Sequence, residues 1–501
     1  VVQKKGLEMI YNNSIKKNYI LQSILTIANV LIPLVTYPYI TRVLLPVGTG
    51  KVAFANSVVA YFIMFAQLGI PTYAVKECAA VREDEQALST KVKELMIICV
   101  CTSLFSCLCL YVCVLFVQKL YAEKWLYLIL SCSIFLQAIG IEWLFSAIEQ
   151  YSYITKRSLL FKLISMIAIF ILIRKETDYV LYAGISVFST SASYILNFFY
   201  SKKFINLKKT QKLNCKKHFK GILMFFAMTC ASTIYLNLDS VMLGFIVGDT
   251  EVGLYSTAVK VRTLLLTLIT SLGTVVLPRA SYYIAQDKME EFWGLIKKSA
   301  EFVFLLSIPL TVYFIIFARP SILLLAGNDF YGSILPMQII MPTLFLVGAS
   351  NLTGIQILIP LGKGKIVLIS EIVGAIIDFV LNLFLIKKYG AVGAAFTTLL
   401  AELFVLLLQL VALRKELKKI FYNIKIIKYL SAIVLAIIGS YWIQFFITNN
   451  FVLLVITALS FFIIYYVVLL IIKETMATQI FRLFISIMKK IFKRKQENAK
   501  G

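Results

Sequence analysis

The stretch Ser201–Lys220, SKKFINLKKTQKLNCKKHFK, carries eight lysines between two long apolar tracts. No other internal segment is as polar. The hydrophobic runs on its two sides read as copies of one another, so the connector marks the seam between two lobes.

Composition decides the solvent around those lobes. The 501-residue chain is 60% hydrophobic and only 15% charged. That is more apolar surface than a water-soluble domain can hide, and it places the chain in lipid. A net charge of +25 does not point to nucleic acid, because the basic residues sit in short connectors and form no stripe on a soluble fold. They read as membrane topology signals. Five of the nine cysteines, Cys99, Cys101, Cys107, Cys109 and Cys113, share one apolar run without metal-ligand spacing, which makes them small packing residues. His218 is the only histidine; within the basic connector it is expected to be solvated.

A helix crosses about 30 Å of hydrocarbon in about 20 residues. Fourteen runs fit: 18–41, 52–70, 94–117, 125–147, 159–173, 180–200, 221–247, 253–277, 299–318, 336–360, 367–386, 391–413, 429–447 and 453–472. The fifth is short. The first is followed by many others and lacks a small-residue cleavage site, so it is a true span; Met9 is an alternative first residue. Most Lys and Arg fall in the connectors on the N-terminal side of the membrane, which predicts both termini inside. The opposite loops are short, the longest being 319–335, with no room for a catalytic domain. The chain also has no phosphate-cradling Gly-Lys-Ser/Thr motif, zinc-ligand helix or nucleophile elbow.

A shift of 209 lays Lys156 on Lys365, Lys162 on Glu371 and Gly184 on Gly393; a shift of about 203 lays Gly50 on Gly253. The repeat is six spans long. Two copies with an even number of spans enter from the same side, related by an axis along the membrane normal, with a cavity expected between them. The predicted organisation is an N-terminal lobe over 1–200, the basic cytoplasmic connector 201–220, a C-terminal lobe over 221–418, two extra spans in 419–472, and a basic cytoplasmic tail over 473–501. In that tail Ile480, Phe481, Phe484, Ile487, Met488, Ile491 and Phe492 line one face of an expected interfacial helix.

Polar residues inside the spans mark the faces that avoid lipid. The first span carries Gln22, Thr26, Asn29, Pro33 and Thr36 at helical spacing. The eighth carries Ser256, Lys260, Thr263, Thr267, Thr270 and Thr274, with Arg262 close by; the eleventh has Glu371, Asp378 and Asn382, and the twelfth Thr398, Glu402 and Gln409. Asp239 and Glu142 complete the set. Hydroxyl stripes also serve as helix–helix glue, and internal ion pairing is the alternative for Asp239, Lys260, Asp378 and Glu402. Arg42, Lys76, Glu142, Lys162, Arg262 and Glu371 lie nearer span ends, where snorkelling competes. Pro33 and Pro38 either break the first span into a hinge or are carried as kinks.

Three stretches carry a resemblance. Glu142-Trp143-Leu144-Phe145-Ser146-Ala147-Ile148-Glu149-Gln150, followed by Tyr153-Ile154-Thr155, resembles the exit of the fourth span in Wzx-type polysaccharide flippases of the polysaccharide transporter family. Asn382-Leu383-Phe384-Leu385-Ile386 with Tyr389-Gly390-Ala391-Val392-Gly393-Ala394-Ala395 resembles the junction of spans eleven and twelve, and the basic head Lys16–Ile40 is similar too. Glu142 departs from the aspartate expected in many members. The resemblance implies an all-α membrane protein of the multidrug/oligosaccharidyl-lipid/polysaccharide (MOP) fold, with two six-helix lobes and two C-terminal helices. It also implies translocation of an undecaprenyl-diphosphate-linked oligosaccharide, for O-antigen or capsule, across the cytoplasmic membrane, powered by a proton or sodium gradient and without a cofactor. Polysaccharide polymerase machinery is an implied partner.

In that setting Lys260 and Arg262, with Arg42 or Lys162, are expected to meet the diphosphate. Thr263, Thr267, Asn29 and Gln22 are expected to meet the sugars. Asp239, Asp378, Glu142, Glu371 and Glu402 are the candidates for the coupling cation. A multidrug or cation antiporter of the same fold is the alternative, with a membrane ligase or polymerase behind it.

Overall fold

The computed structural model describes residues 2–207, 210, 212–417, 425–482 and 485–486. Among them no strand occurs, and the chain runs as α1 (Val2–Gln67), α2 (Ile70–Ala79), α3 (Glu85–Phe116), α4 (Gln118–Ala122), α5 (Lys124–Gly140), α6 (Glu142–Ala147), α7 (Tyr151–Leu172), α8 (Tyr179–Val187) and α9 (Ser193–Ser201). It continues as α10 (Phe219–Ile246), α11 (Asp249–Ala285), α12 (Met289–Ile316), α13 (Ala318–Ala326), α14 (Ile334–Ile340), α15 (Thr343–Ser350), α16 (Gly364–Ala412), α17 (Ile426–Tyr441) and α18 (Asn450–Ile471).

Every expected run falls on helix, because two long helices each supply two runs. Helix α1 breaks at Leu45 (φ 55°, ψ 179°) and α16 at Gly390 (φ 54°, ψ −130°). The first break lies just before Pro46, whose ring disfavours helical backbone at the preceding residue; Pro33 and Pro38 are carried inside the helix. The fifth run is longer than its apolar part. Helix α7 starts at Tyr151 because Arg157, which interrupts the apolar pattern, is buried against fixed partners and needs no water. Outward faces are greasy: α3 exposes Leu104, Phe105, Leu108, Leu115 and Phe116 while it buries Val92, Leu95, Cys99 and Leu110, the division expected of a helix between protein and lipid. The nine cysteines are free. The protein is a multi-pass membrane protein.

By packing, the chain divides into two compact units, Val1–Ser256 and Thr257–Gly501. In the first, α1 packs on α3, α5, α7 and α10, and α10 also packs on α2, so the seventh span and the connector before it belong with the first six. The two glycines matched by the repeat meet here. A Cβ on Gly50 would stand 1.7 Å from the Asp249 carbonyl oxygen, and one on Gly253 would stand 2.1 Å from that of Pro46. Only glycine permits that approach. Lys119 reinforces the contact, bonding the Gly244 carbonyl and pairing with Asp249 at 3.1 Å.

The connector does not float in solvent. Lys93 donates to the Leu207 carbonyl (2.9 Å), and the backbone N–H of Asn214 donates to Glu94 Oε1 (2.6 Å). His218, expected to be solvated, is 1% exposed. Its Nε2 lies 2.9 Å from Glu94 Oε2 and its Nδ1 lies 2.9 Å from the Tyr73 hydroxyl. The reason is Glu94, fully buried at the head of an apolar run, which draws in the Asn214 N–H, Lys217 and His218.

In the second unit α17 and α18, the last two spans, pack on α12 through Phe304, Tyr313, Tyr429, Phe461 and Tyr465. Tyr313 bonds Thr457 Oγ1 at 3.0 Å and Tyr465 donates to the Leu305 carbonyl at 3.1 Å. Of the basic tail, 475–482 is helical; Phe484, Ile487, Met488, Ile491 and Phe492 of its expected apolar face lie outside the described residues, as do 418–424.

The Glu94 network predicts an asymmetry. Glu94→Leu, which strands His218 and the Asn214 N–H in a buried site, should lower the melting temperature of detergent-purified protein by several degrees. Lys217→Ala should change it little, because Lys217 is 45% exposed although it reaches Glu94 at 2.8 Å.

Candidate functional site

Helices α1, α6, α7 and α10 place the candidates of the first unit. Lys162 on α7 is half-buried and donates to Asn29 Oδ1 on α1, so this pair is brought together. Arg42 is exposed, one turn beyond Pro38, and donates to its carbonyl at 2.6 Å. The Gln22 side chain is not among those described. Asp239 on α10 is buried and accepts from the Tyr255 hydroxyl.

Glu142 opens α6 and carries an ion pair that sequence reading missed, because Arg157 falls in a segment that looks like a connector. Arg157 Nη2 lies 2.7 Å from Glu142 Oε2, with the arginine side chain 4% exposed. Its Nη1 bonds Asn197 Oδ1, and the Asn197 amide donates to the Gly140 carbonyl at 2.8 Å. A charge just ahead of the short fifth run, fifteen residues from an acid, was the available signal.

In the second unit Arg262 is buried on α11, its Nε donating to Thr343 Oγ1 at 2.6 Å and its Nη2 to Glu402 Oε1 at 3.0 Å. The alternative of internal pairing thus holds for Arg262 and Glu402. Lys260 is half-buried on the same helix, while Thr263 and Thr267 are exposed and donate to the carbonyls of Val259 (2.8 Å) and Leu264 (2.7 Å). On α16 Asp378 is 1% exposed, whereas Glu371, two turns earlier, is exposed. An open polar stripe on an otherwise apolar helix marks a surface that lipid does not cover.

Such an arrangement, helical throughout, repeated in sequence and with charges paired inside, defines a protein of the MOP fold. The solved lipid II flippase MurJ, in an inward closed conformation, matches 90% of this chain and 98% of its own with a TM-score of 0.73 at 18% identity. An inward-facing multidrug-resistance MATE-family transporter of the MOP superfamily matches 81% and 99%, with a TM-score of 0.58 at 13% identity. These likenesses are of fold. The family described as polysaccharide biosynthesis protein matches residues 15–284, more than half of the chain, and the chain belongs to that family. A putative O-antigen transporter of Escherichia coli (strain K12) is 23% identical over 405 residues, 80% of this chain and 97% of that protein.

A buried ion pair is costly to break and cheap to replace whole. Glu402→Gln or Arg262→Met alone should reduce the amount of folded protein recovered by gel filtration several-fold. The double variant Arg262→Met/Glu402→Leu should recover most of it.

Proposed function

We propose that the chain is a flippase that carries undecaprenyl-diphosphate-linked oligosaccharide repeat units across the cytoplasmic membrane for O-antigen, capsule or a related surface glycan. It is a transporter and not an enzyme, with both termini on the cytoplasmic side, as the distribution of lysine and arginine favours. Its family, and the near full-length similarity to a putative O-antigen transporter, support the cargo.

The observation that carries the reading is on α11: a half-buried cation, Lys260, set on an open face of threonine hydroxyls. A diphosphate needs a cationic partner and the sugars behind it need hydroxyl and amide partners. Lys260, which shares its helix face with Thr263 and Thr267, is the cation of this helix that we assign to the diphosphate. Arg42 and Lys162 are secondary candidates on the first unit. Asp239 and Asp378, both buried, are the proposed sites for a coupling proton or sodium ion, ahead of the exposed Glu371 and the paired Glu142 and Glu402. Polysaccharide polymerase machinery is the proposed receiver of the cargo.

The test is the leaflet location of the lipid-linked oligosaccharide in cells lacking the gene, read with an external sugar probe. Inner-leaflet accumulation, reversed by the intact gene, is expected; normal external display in the absence of any second flippase overturns the reading. Lys260→Gln should slow external appearance about tenfold, the worth of one charge-assisted hydrogen bond, and Lys260→Arg should restore most of it.

A further inference from the structure

The first unit holds a cavity of about 670 Å³ whose lining includes Gln67, Lys76, Gln137, Glu142, Trp143 and Tyr194. It lies where α1 and α5 end and where α2 and α6 begin, with residues of α9 and α10 completing the lining. Its size is that of a small-ligand site.

The wall is built. Helix α5 ends at Gly140, and Ile141 takes a left-handed conformation (φ 34°) that turns the chain into α6, so Glu142 and Trp143 come round into the cavity. A β-branched residue adopts that backbone only where its surroundings enforce it. Glu142 is fixed through Oε2 by Arg157, which leaves its other oxygen as an acceptor. The Tyr194 ring rests on Gly140, where a Cβ would stand 2.5 Å from the ring, and the Arg157 guanidinium carbon lies 5.7 Å from its centre.

The polar groups facing the cavity are, in contrast, unspent. Gln67 is 9% exposed and Trp143 6% exposed, yet neither side chain, nor that of Gln137, makes a hydrogen bond to any described residue. Their polar atoms are not sealed in the packing, so they remain available to whatever fills the cavity, which must supply their hydrogen bonds. Two amides that both donate and accept, a fixed carboxylate oxygen, an indole N–H and a tyrosine ring match the alternating hydroxyls and the apolar face of a pyranose. A phosphate is a poor fit, since Lys76 is the one cation among the described lining residues. An organic cation is equally poor, since Arg157 already neutralises Glu142.

We infer that this cavity is a sugar subsite that holds a pyranose of the glycan headgroup, an inference that rests on the flippase reading above. Its test uses full-length protein in nanodiscs with two probes: the lipid-linked oligosaccharide extracted from gene-deleted cells, and undecaprenyl diphosphate without sugar. Gln67→Ala/Gln137→Ala should weaken glycolipid binding at least tenfold and leave undecaprenyl diphosphate binding unchanged. Unchanged glycolipid affinity, an equal loss for both probes, or wild-type protein that binds the two probes equally would overturn the subsite and leave the flippase reading standing. Wild-type protein that binds neither probe would remove both. If the double variant fails a melting check, Gln137→Ala alone, at a half-buried position, is read against the same outcomes.

Discussion

A charge carried into hydrocarbon must bring its partner with it, and the rest of this structure is arranged around that constraint. Arg157 is the clearest case: almost wholly buried, it meets Glu142 and Asn197, and these in turn decide how α6 and α9 sit against α7. Arg262 does the same for α11, α15 and α16 through Thr343 and Glu402. Glu94 gathers His218, Lys217 and the Asn214 N–H onto the head of α3. In water each pair would contribute little. In an apolar surround the unpaired alternative is so costly that the pairs fix helix register.

The helix breaks answer a second constraint. Helix α1 passes from one span to the next without a loop, turning at Leu45, and the turn places Pro46 and Gly50 against Gly253 and Asp249. Backbone meets backbone there because both positions lack a side chain. Glycine at both positions is what lets the two turns touch.

The sequence was legible wherever the solvent dictates the pattern. The apolar runs were legible from their length, because the hydrocarbon thickness sets that length whatever the packing, and each of them falls on helix. Internal pairing was legible only as an alternative. Spacing puts Arg262 close to the hydroxyl stripe of α11, but nothing local says that its partner is Glu402, 140 residues away. Arg157 was missed and His218 misjudged for one reason: a charged or basic stretch reads as a solvated connector, and its burial depends on an acid elsewhere in the chain, Glu142 or Glu94. The cavity of the first unit left no periodic stripe, since its lining residues come from six separate helices.

The stripe on α11 is more selective than its composition suggests. A serine or threonine hydroxyl has one proton to give. Those of Thr263, Thr267, Thr270 and Ser271 are all given to carbonyls within the same helix, at 2.8, 2.7, 3.0 and 2.8 Å. What remains on that face is lone pairs, a surface that accepts and does not donate. Sugar hydroxyls and acetamido N–H groups can bond to it; phosphate oxygens, which only accept, cannot. In the flippase reading proposed above, the oxygens of a diphosphate would find their donors off this row of hydroxyls.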